Sequence, residues 1–394
     1  MLTHLRIDRF GCCRQTSIDL GTQLVALVGR NGAGKTTILR SIEWVASTAL
    51  GLEEASTTRV MADNAATLAF CLNKKVEYQY TVKRDAFPSD TFSPSTAYRE
   101  LLTTGSNKRK LFERTDDVVS SPLRPELIRI GKAATGLAAI AALLPADDAL
   151  AEAAAPIARY LSQIAYYDLG IPTGTHDFVP LSLYQKWVRE YRETNRAPDS
   201  IACRLIYMHE HASDLFDELL MLLGRNGLGL IEGIDIVRVP GDMPSAAAAE
   251  AATDETRIYF PMFTLTPMLG GAGTPLPWSA LSAGTQRMLR LIACLLFDEQ
   301  RVFLLEQPED CVHAGLLYKL IDILRSYSRR SQIIFATHSL EVLNALRPEE
   351  VRLVKAAKRG TTCRRLNPHE LRLAQSYLEE SGSLGEFVES IQEE

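Results

Sequence analysis

Apolar residues at Leu2, Leu5, Ile7 and Phe10, then at Ile18 and Leu20, predict two strands. They lead into the uninterrupted apolar run Leu24-Val25-Ala26-Leu27-Val28, which reads as a buried strand. Beyond Thr36 the period changes. Ile38, Ile42, Val45 and Ala49 recur at helical spacing, and Leu39 and Ala46 widen the stripe into an amphipathic helix. Residues 67 to 84 predict a hairpin: Leu68 to Leu72, a polar turn at Asn73-Lys74-Lys75, then alternating Val76, Tyr78, Tyr80 and Val82.

From about Pro88 to Leu230 alanine and leucine dominate, and helical patterns are clearest over Tyr184 to Arg192 and Ile201 to Leu223. Prolines at 94, 122, 125, 145, 156, 172, 180 and 198 divide this region into short helices, because each removes a backbone donor and clashes with the preceding turn. They exclude a long coiled coil. Strand patterns return at Ile234 to Val239, Ile258 to Phe260 and Phe263 to Leu265, with a flexible connection over Gly241 to Thr253. Gly270-Gly271-Ala272-Gly273 reads as a turn, since no Gly-Lys-Ser/Thr follows it. From Leu281 onward helix and strand alternate in the α/β manner. The predicted organisation is an N-terminal lobe over 1–87, a helical insertion over 88–230 and a C-terminal lobe over 231–394.

Gly29-Arg30-Asn31-Gly32-Ala33-Gly34-Lys35-Thr36 lies between the third strand and the first helix, the setting a phosphate-binding loop requires. Its glycines let backbone N–H groups close around a phosphate, Lys35 carries charge to the β/γ-oxygens, and the Thr36 hydroxyl can hold Mg²⁺. Asn31, Gly32, Ala33, Gly34, Lys35, Thr36 and Thr37 are therefore the candidate nucleotide contacts. A ligand-free glycine turn has no use for Lys-Thr at a helix start.

Size and composition narrow the class. The 394 residues, 46% hydrophobic, suffice for one large core or two smaller ones. No stretch approaches the roughly 18 apolar residues of a membrane span, and the N-terminus alternates like a strand without a secretory pattern. Seven cysteines without CxxC spacing fit buried thiols in a reducing cytoplasm better than disulfides or zinc. A net charge of −5 argues against a generally basic coat for nucleic acid. Its distribution is uneven, with cations crowded between Arg352 and Arg372, a basic knot at Lys108-Arg109-Lys110, and an acidic end from Glu379.

Further chemistry sits in the C-terminal lobe. Leu281-Ser282-Ala283-Gly284-Thr285-Gln286-Arg287 opens a helix, and a serine at a helix N-terminus makes an anion site or an ordinary N-cap. Val302 to Glu306 reads as a buried parallel strand ending in a carboxylate able to hold Mg²⁺. Gln332 to Thr337 is another core strand, and His338 stands at its C-terminal lip, where ligands of open α/β sheets gather. His209-Glu210-His211 and His176-Asp177 lack the spacing of a metalloprotease or metal nuclease and read as packing or surface residues.

The ordered set of phosphate loop, LSAGTQR, LLEQPED with His313, and ATHS resembles the ABC-type ATPases that include SMC and RecF proteins. Within them it is most similar to compact prokaryotic AAA-family ATP-binding proteins of the overcoming-lysogenisation-defect and anti-phage defence kind. The match covers about residues 1–85 and 255–394. It implies an α/β ABC-type ATPase head with a P-loop NTPase mixed sheet, flanking helices and an α-helical insertion. It also implies a cytoplasmic homodimer, or a higher oligomer, with ATP and Mg²⁺ sandwiched between chains. Lys35 and Thr36 of one chain would bind the nucleotide, Ser282 and Gly284 of the other would close over the γ-phosphate, and His338 would contact it.

Two positions depart from the class. Glu306 replaces the usual aspartate, and Gln307 stands where a catalytic glutamate is expected. An amide can orient water but cannot accept its proton, so hydrolysis should be impaired. Either the chain was altered there to trap ATP, which the intact remainder of the site favours, or it is a slow nucleotide switch. Gln79 is the one candidate for the Mg²⁺-sensing glutamine of the class. The resemblance implies an ATPase that controls a separate nuclease or toxin. The alternative is a RecF/SMC-like repair or chromosome-maintenance ATPase binding DNA directly, although coiled-coil arms and a CxxC hook are missing. A transporter subunit fits poorly, because residues 37 to 280 separate the two motifs.

Overall fold

The computed structural model describes residues 1–52, 63–72, 76–86, 96–131, 134–170, 177–194, 197–240, 257–265, 273–380 and 382–393. The expected connection over Gly241 to Thr253, the Asn73-Lys74-Lys75 turn and His176 lie outside them. The chain divides into two compact units, one of residues 1–168, 300–307 and 321–394, the other of residues 169–299 and 308–320.

The first unit begins with β1 (Leu2–Phe10), β2 (Cys13–Asp19) and β3 (Leu24–Val28), then the phosphate loop and α1 (Lys35–Ala49). The predicted hairpin is β4 (Asn64–Leu72) and β5 (Val76–Ala86), antiparallel as expected. Four further strands follow: β6 (Thr96–Thr104), β7 (Arg109–Thr115), β8 (Val118–Ser121) and β9 (Arg124–Arg129). They complete an eight-stranded sheet of order β2-β1-β4-β5-β6-β7-β8-β9. The helical insertion expected over 88–230 is therefore strand through Arg129 among the described residues, and helix begins at α2 (Gly136–Leu143) and α3 (Ala149–Ser162).

The reason is a buried ion pair. Glu100 and Arg114 occupy inward positions of β6 and β7 with fully buried side chains, so the alternation reads as polar although it faces the core. Arg114 donates to Glu100 at 2.8 Å, Tyr80 donates at 2.6 Å, and the Gly136 amide at 2.8 Å, so the carboxylate keeps its partners out of water. After α3 the chain enters β10 (Ile164–Asp168), which pairs in parallel with a strand far along the sequence.

The second unit holds β11 (Val179–Pro180), α4 (Leu181–Thr194), α5 (Ile201–His211), α6 (Ser213–Leu223), β12 (Ile231–Pro240), β13 (Arg257–Leu265), β14 (Pro275–Leu276) and α7 (Ala283–Phe297). The helical pattern over Ile201 to Leu223 is broken at Ala212, whose φ of −145° and ψ of 60° are not helical. Strands β11, β12 and β14 all pair with β13. Trp187, Tyr191, Tyr207 and Phe297 form an aromatic cluster, and Arg204 grips Asp298 through two 3.1 Å bonds. His209 stacks edge-on against Phe216 and His211 against Tyr207, in packing roles.

Returning to the first unit, β15 (Val302–Glu306) precedes α8 (Ala314–Tyr327), of which only residues 321–327 belong to this unit, then β16 (Gln332–Thr337), α9 (Leu340–Ala345), β17 (Val351–Ala357), β18 (Gly360–Arg365), α10 (Pro368–Glu379) and α11 (Leu384–Glu393). A six-stranded sheet of order β10-β15-β16-β3-β17-β18 results, parallel except for the β17–β18 hairpin. Helix α1 contacts both sheets, which explains why its stripe is wide: Ile38, Leu39, Ile42, Val45 and Ala49 are all buried. Gln332, 2% exposed, links the strand it begins to the N-terminal segment, accepting from Leu2 N–H and donating to the carbonyls of Leu2, Leu20 and Thr22. No helix among the described residues is long and apolar enough to cross a membrane.

Candidate nucleotide-binding site

The loop after β3 lies at the C-terminal edge of the parallel strands. Gly29 is there because a Cβ would sit 2.1 Å from the Val354 carbonyl oxygen. At Gly34 the φ of 103° and a would-be contact of 2.4 Å with Thr361 Oγ1 both exclude a side chain. Thr361 in turn donates to the Ala33 carbonyl at 3.0 Å, so the β17–β18 hairpin braces the cradle. Asn31 and Gly32 are exposed at its tip. The Lys35 ammonium is folded onto the loop, donating to the carbonyls of Gly29 at 2.7 Å and Arg30 at 3.0 Å. Thr37 accepts a 3.3 Å bond from the Cys12 thiol.

Opposite the loop, Thr36 Oγ1 donates to Glu306 Oε1 at 2.6 Å, and Tyr166 donates to Glu306 Oε2 at 3.4 Å. Burial pushes the Glu306 carboxyl above the usual glutamate range and neighbouring Asp168 adds to this, against the Thr36 hydrogen bond. Asp168 ends β10 directly beside Glu306 in the parallel register. A hydroxyl and carboxylates are hard oxygen donors suited to Mg²⁺. Arg40 lies 3.7 Å over the Tyr166 ring and donates to Glu43, which fixes the tyrosine from behind.

Gln307 has a left-handed φ of 40°, held by its N–H bond to the Ala336 carbonyl at 3.1 Å. Its side-chain amide lies within hydrogen-bond distance of His338 Nδ1, at 2.9 Å. Thr36, Glu306, Gln307 and His338 thus form one connected edge. Gln79 takes no part: it sits mid-strand opposite Ala69 and Thr103, alternating with buried Tyr80 and so facing away from α1. Tyr166 and Asp168 went unrecognised in the sequence. Their only signal was an apolar-aromatic run, Ile164 to Tyr167, closed by a carboxylate.

On the second unit, Ser282 caps α7, its Oγ accepting from Thr285 N–H at 3.1 Å. Gly284 is required there, because a Cβ would lie 2.2 Å from the Cys311 carbonyl oxygen. Gln286 Nε2 donates to the Trp278 and Leu281 carbonyls, holding the turn before the helix. The first turn of α7 therefore presents N–H groups and a hydroxyl with a small residue between them, a surface suited to anionic oxygen.

Comparison with known proteins gives a family and a fold. The profile of the family described as "AAA domain, putative AbiEii toxin, Type IV TA system" matches residues 24–344. No curated protein matches significantly. Among solved structures, an SMC head bound to the C-winged helix domain of ScpA aligns with 94% of this chain and 99% of its own, at 12% identity and a TM-score of 0.52. Two others align less closely. The SMC head domain from Thermotoga maritima has 14% identity, coverage of 93% and 99%, and a TM-score of 0.42. An Smc head with an extended coiled coil, bound to a ScpA domain derived from Pyrococcus furiosus, has 13% identity, coverage of 96% and 98%, and a TM-score of 0.47. The fold is that of an SMC-head ABC-type P-loop ATPase.

Proposed function

The chain belongs to the AAA-domain family of that description, and from this premise we propose that it is an ABC-type ATPase subunit whose ATP state controls a partner. The observation that carries the reading is the Thr36–Glu306 hydrogen bond, which sets a carboxylate against the phosphate loop where nucleotide and metal meet. Lys35 would leave its loop carbonyls for the β/γ-phosphates, and Thr36 with Glu306 would hold Mg²⁺. The ion supplies positive charge against the phosphate oxygens. Ser282 and the first α7 turn would close over the γ-phosphate of a second chain, making a homodimer with ATP as its glue. Gln307 orients water through its amide while lacking a base's capacity, so ATP persists and the dimer is long-lived.

The partner is a separate nuclease or toxin in the cytoplasm, in defence against phage. Support comes from the family's AbiEii description and from the partner-bound SMC head among the structural relatives. The test is oligomeric mass by light scattering. Saturating ATP with Mg²⁺ should give a dimer and ADP a monomer, while Lys35→Ala and Ser282→Arg should stay monomeric. A monomer at saturating ATP and Mg²⁺ refutes the clasp.

A further inference from the structure

Beside α4 the second unit holds a groove of about 660 Å³, a size within the roughly 300–1,000 Å³ of small-molecule sites. No residue of the phosphate loop, of the Glu306 edge or of the first α7 turn lines it. Its floor is aromatic. Tyr184 of α4 and Tyr259 of β13, 4% and 7% exposed, meet edge to face with ring centres 5.4 Å apart. Val188, one turn on from Tyr184, continues this apolar surface along α4.

The charges lining the groove fall into two sets. Glu210, near the end of α5, accepts from Arg238 at 2.5 Å and has His211 3.7 Å away, so its charge is met within the protein. Arg238 also lies 5.5 Å over the Tyr259 ring, which fixes this wall. Arg189 and Arg192 differ. Both are exposed, and neither makes an ion pair or a side-chain hydrogen bond among the described residues. Glu193 beside them is equally unengaged among those residues, so two guanidinium groups against one carboxylate leave that end positive. At 1.5 Å per residue the two arginines lie about 7.5 and 12 Å along the helix from Tyr184. A buried ring floor at one end and planar cationic forks at the other suit one ligand chemistry. It is a flat apolar body that carries carboxylate, phosphate or sulfonate oxygens at that distance.

We propose that this groove is a second ligand site, separate from the nucleotide site, and that it takes a small aromatic anion. The test is a fluorescence titration of the full chain, without nucleotide, using anilinonaphthalene sulfonate, whose rings and sulfonate match the two ends. Uncharged phenylnaphthylamine, the same rings without the sulfonate, should bind at least about tenfold more weakly. Arg189→Glu/Arg192→Glu should weaken the sulfonate by at least about tenfold, since charge-assisted bonds are lost and like charge replaces them. Arg329→Glu/Arg330→Glu, the same charge change at another exposed site, should leave its affinity unchanged. Adenosine monophosphate and indole acetate, as competitors, separate a nucleotide from an aromatic carboxylate as the natural class. Displacement by neither at millimolar concentration overturns the proposal. So does equal binding of the two dyes, or an unchanged affinity in the groove variant.

Discussion

Gln307→Glu isolates the proton-accepting step. The two side chains share their shape to the last atom, so the left-handed φ of 40° and the bond from the backbone N–H to Ala336 should survive unchanged. What changes is one atom of the amide that now meets His338 Nδ1 at 2.9 Å; a carboxylate there accepts from a protonated Nδ1. Phosphate contacts by Lys35 and metal holding by Thr36 and Glu306 do not pass through this atom. A positioned general base contributes about 10²–10⁴-fold, which corresponds to about 2.7–5.4 kcal/mol of barrier. Steady-state phosphate release at saturating ATP and Mg²⁺ should rise by at least about 100-fold. ATP affinity, read with a fluorescent analogue, should stay within about threefold, below the tenfold that 1.4 kcal/mol represents. Turnover within twofold of the parent chain would remove position 307 from the base role and with it the account of a trapped ATP dimer.

Other perturbations probe the same site and its frame. Because burial and Asp168 raise the Glu306 carboxyl, a protonated Glu306 favours the metal-free fold at low pH, and that contribution is lost as pH rises through the raised value. Metal holding has the opposite sign, since it needs the carboxylate. The Mg²⁺-dependent gain in Tm with ADP should be full at pH 8 and fade on acidification at a higher pH than an ordinary glutamate would give; a pH-independent gain refutes the assignment. Glu100→Gln should cost about 3–5 kcal/mol in urea unfolding, because it leaves the buried Arg114 cation without its counter-charge. Gly284→Ala should leave ATP binding intact but abolish the ATP-dependent dimer seen by light scattering, because its Cβ would meet the Cys311 carbonyl at 2.2 Å. An unimpaired dimer would show that the first α7 turn is not a contact.

Local chemistry was legible in the chain itself. The run Leu24–Val28 before Gly29 to Thr36 specifies strand, loop and helix within a few residues, since each signal acts on its own backbone. The carboxylate at Glu306 and the histidine at 338 were visible for the same reason, as polar ends of apolar strands. Tertiary structure decided the rest. Strands β6 and β7 were hidden because Glu100 and Arg114 satisfy each other inside the core, and no single-strand pattern reveals a partner on the next strand. Ala212 breaks a continuous helical stripe for reasons that periodicity does not carry. Tyr166 reaches Glu306 across 140 residues, and Asp168 stands beside it only because β10 pairs with β15. Hydrophobic period reports which way a residue faces; register, a property of two strands at once, decides what it faces.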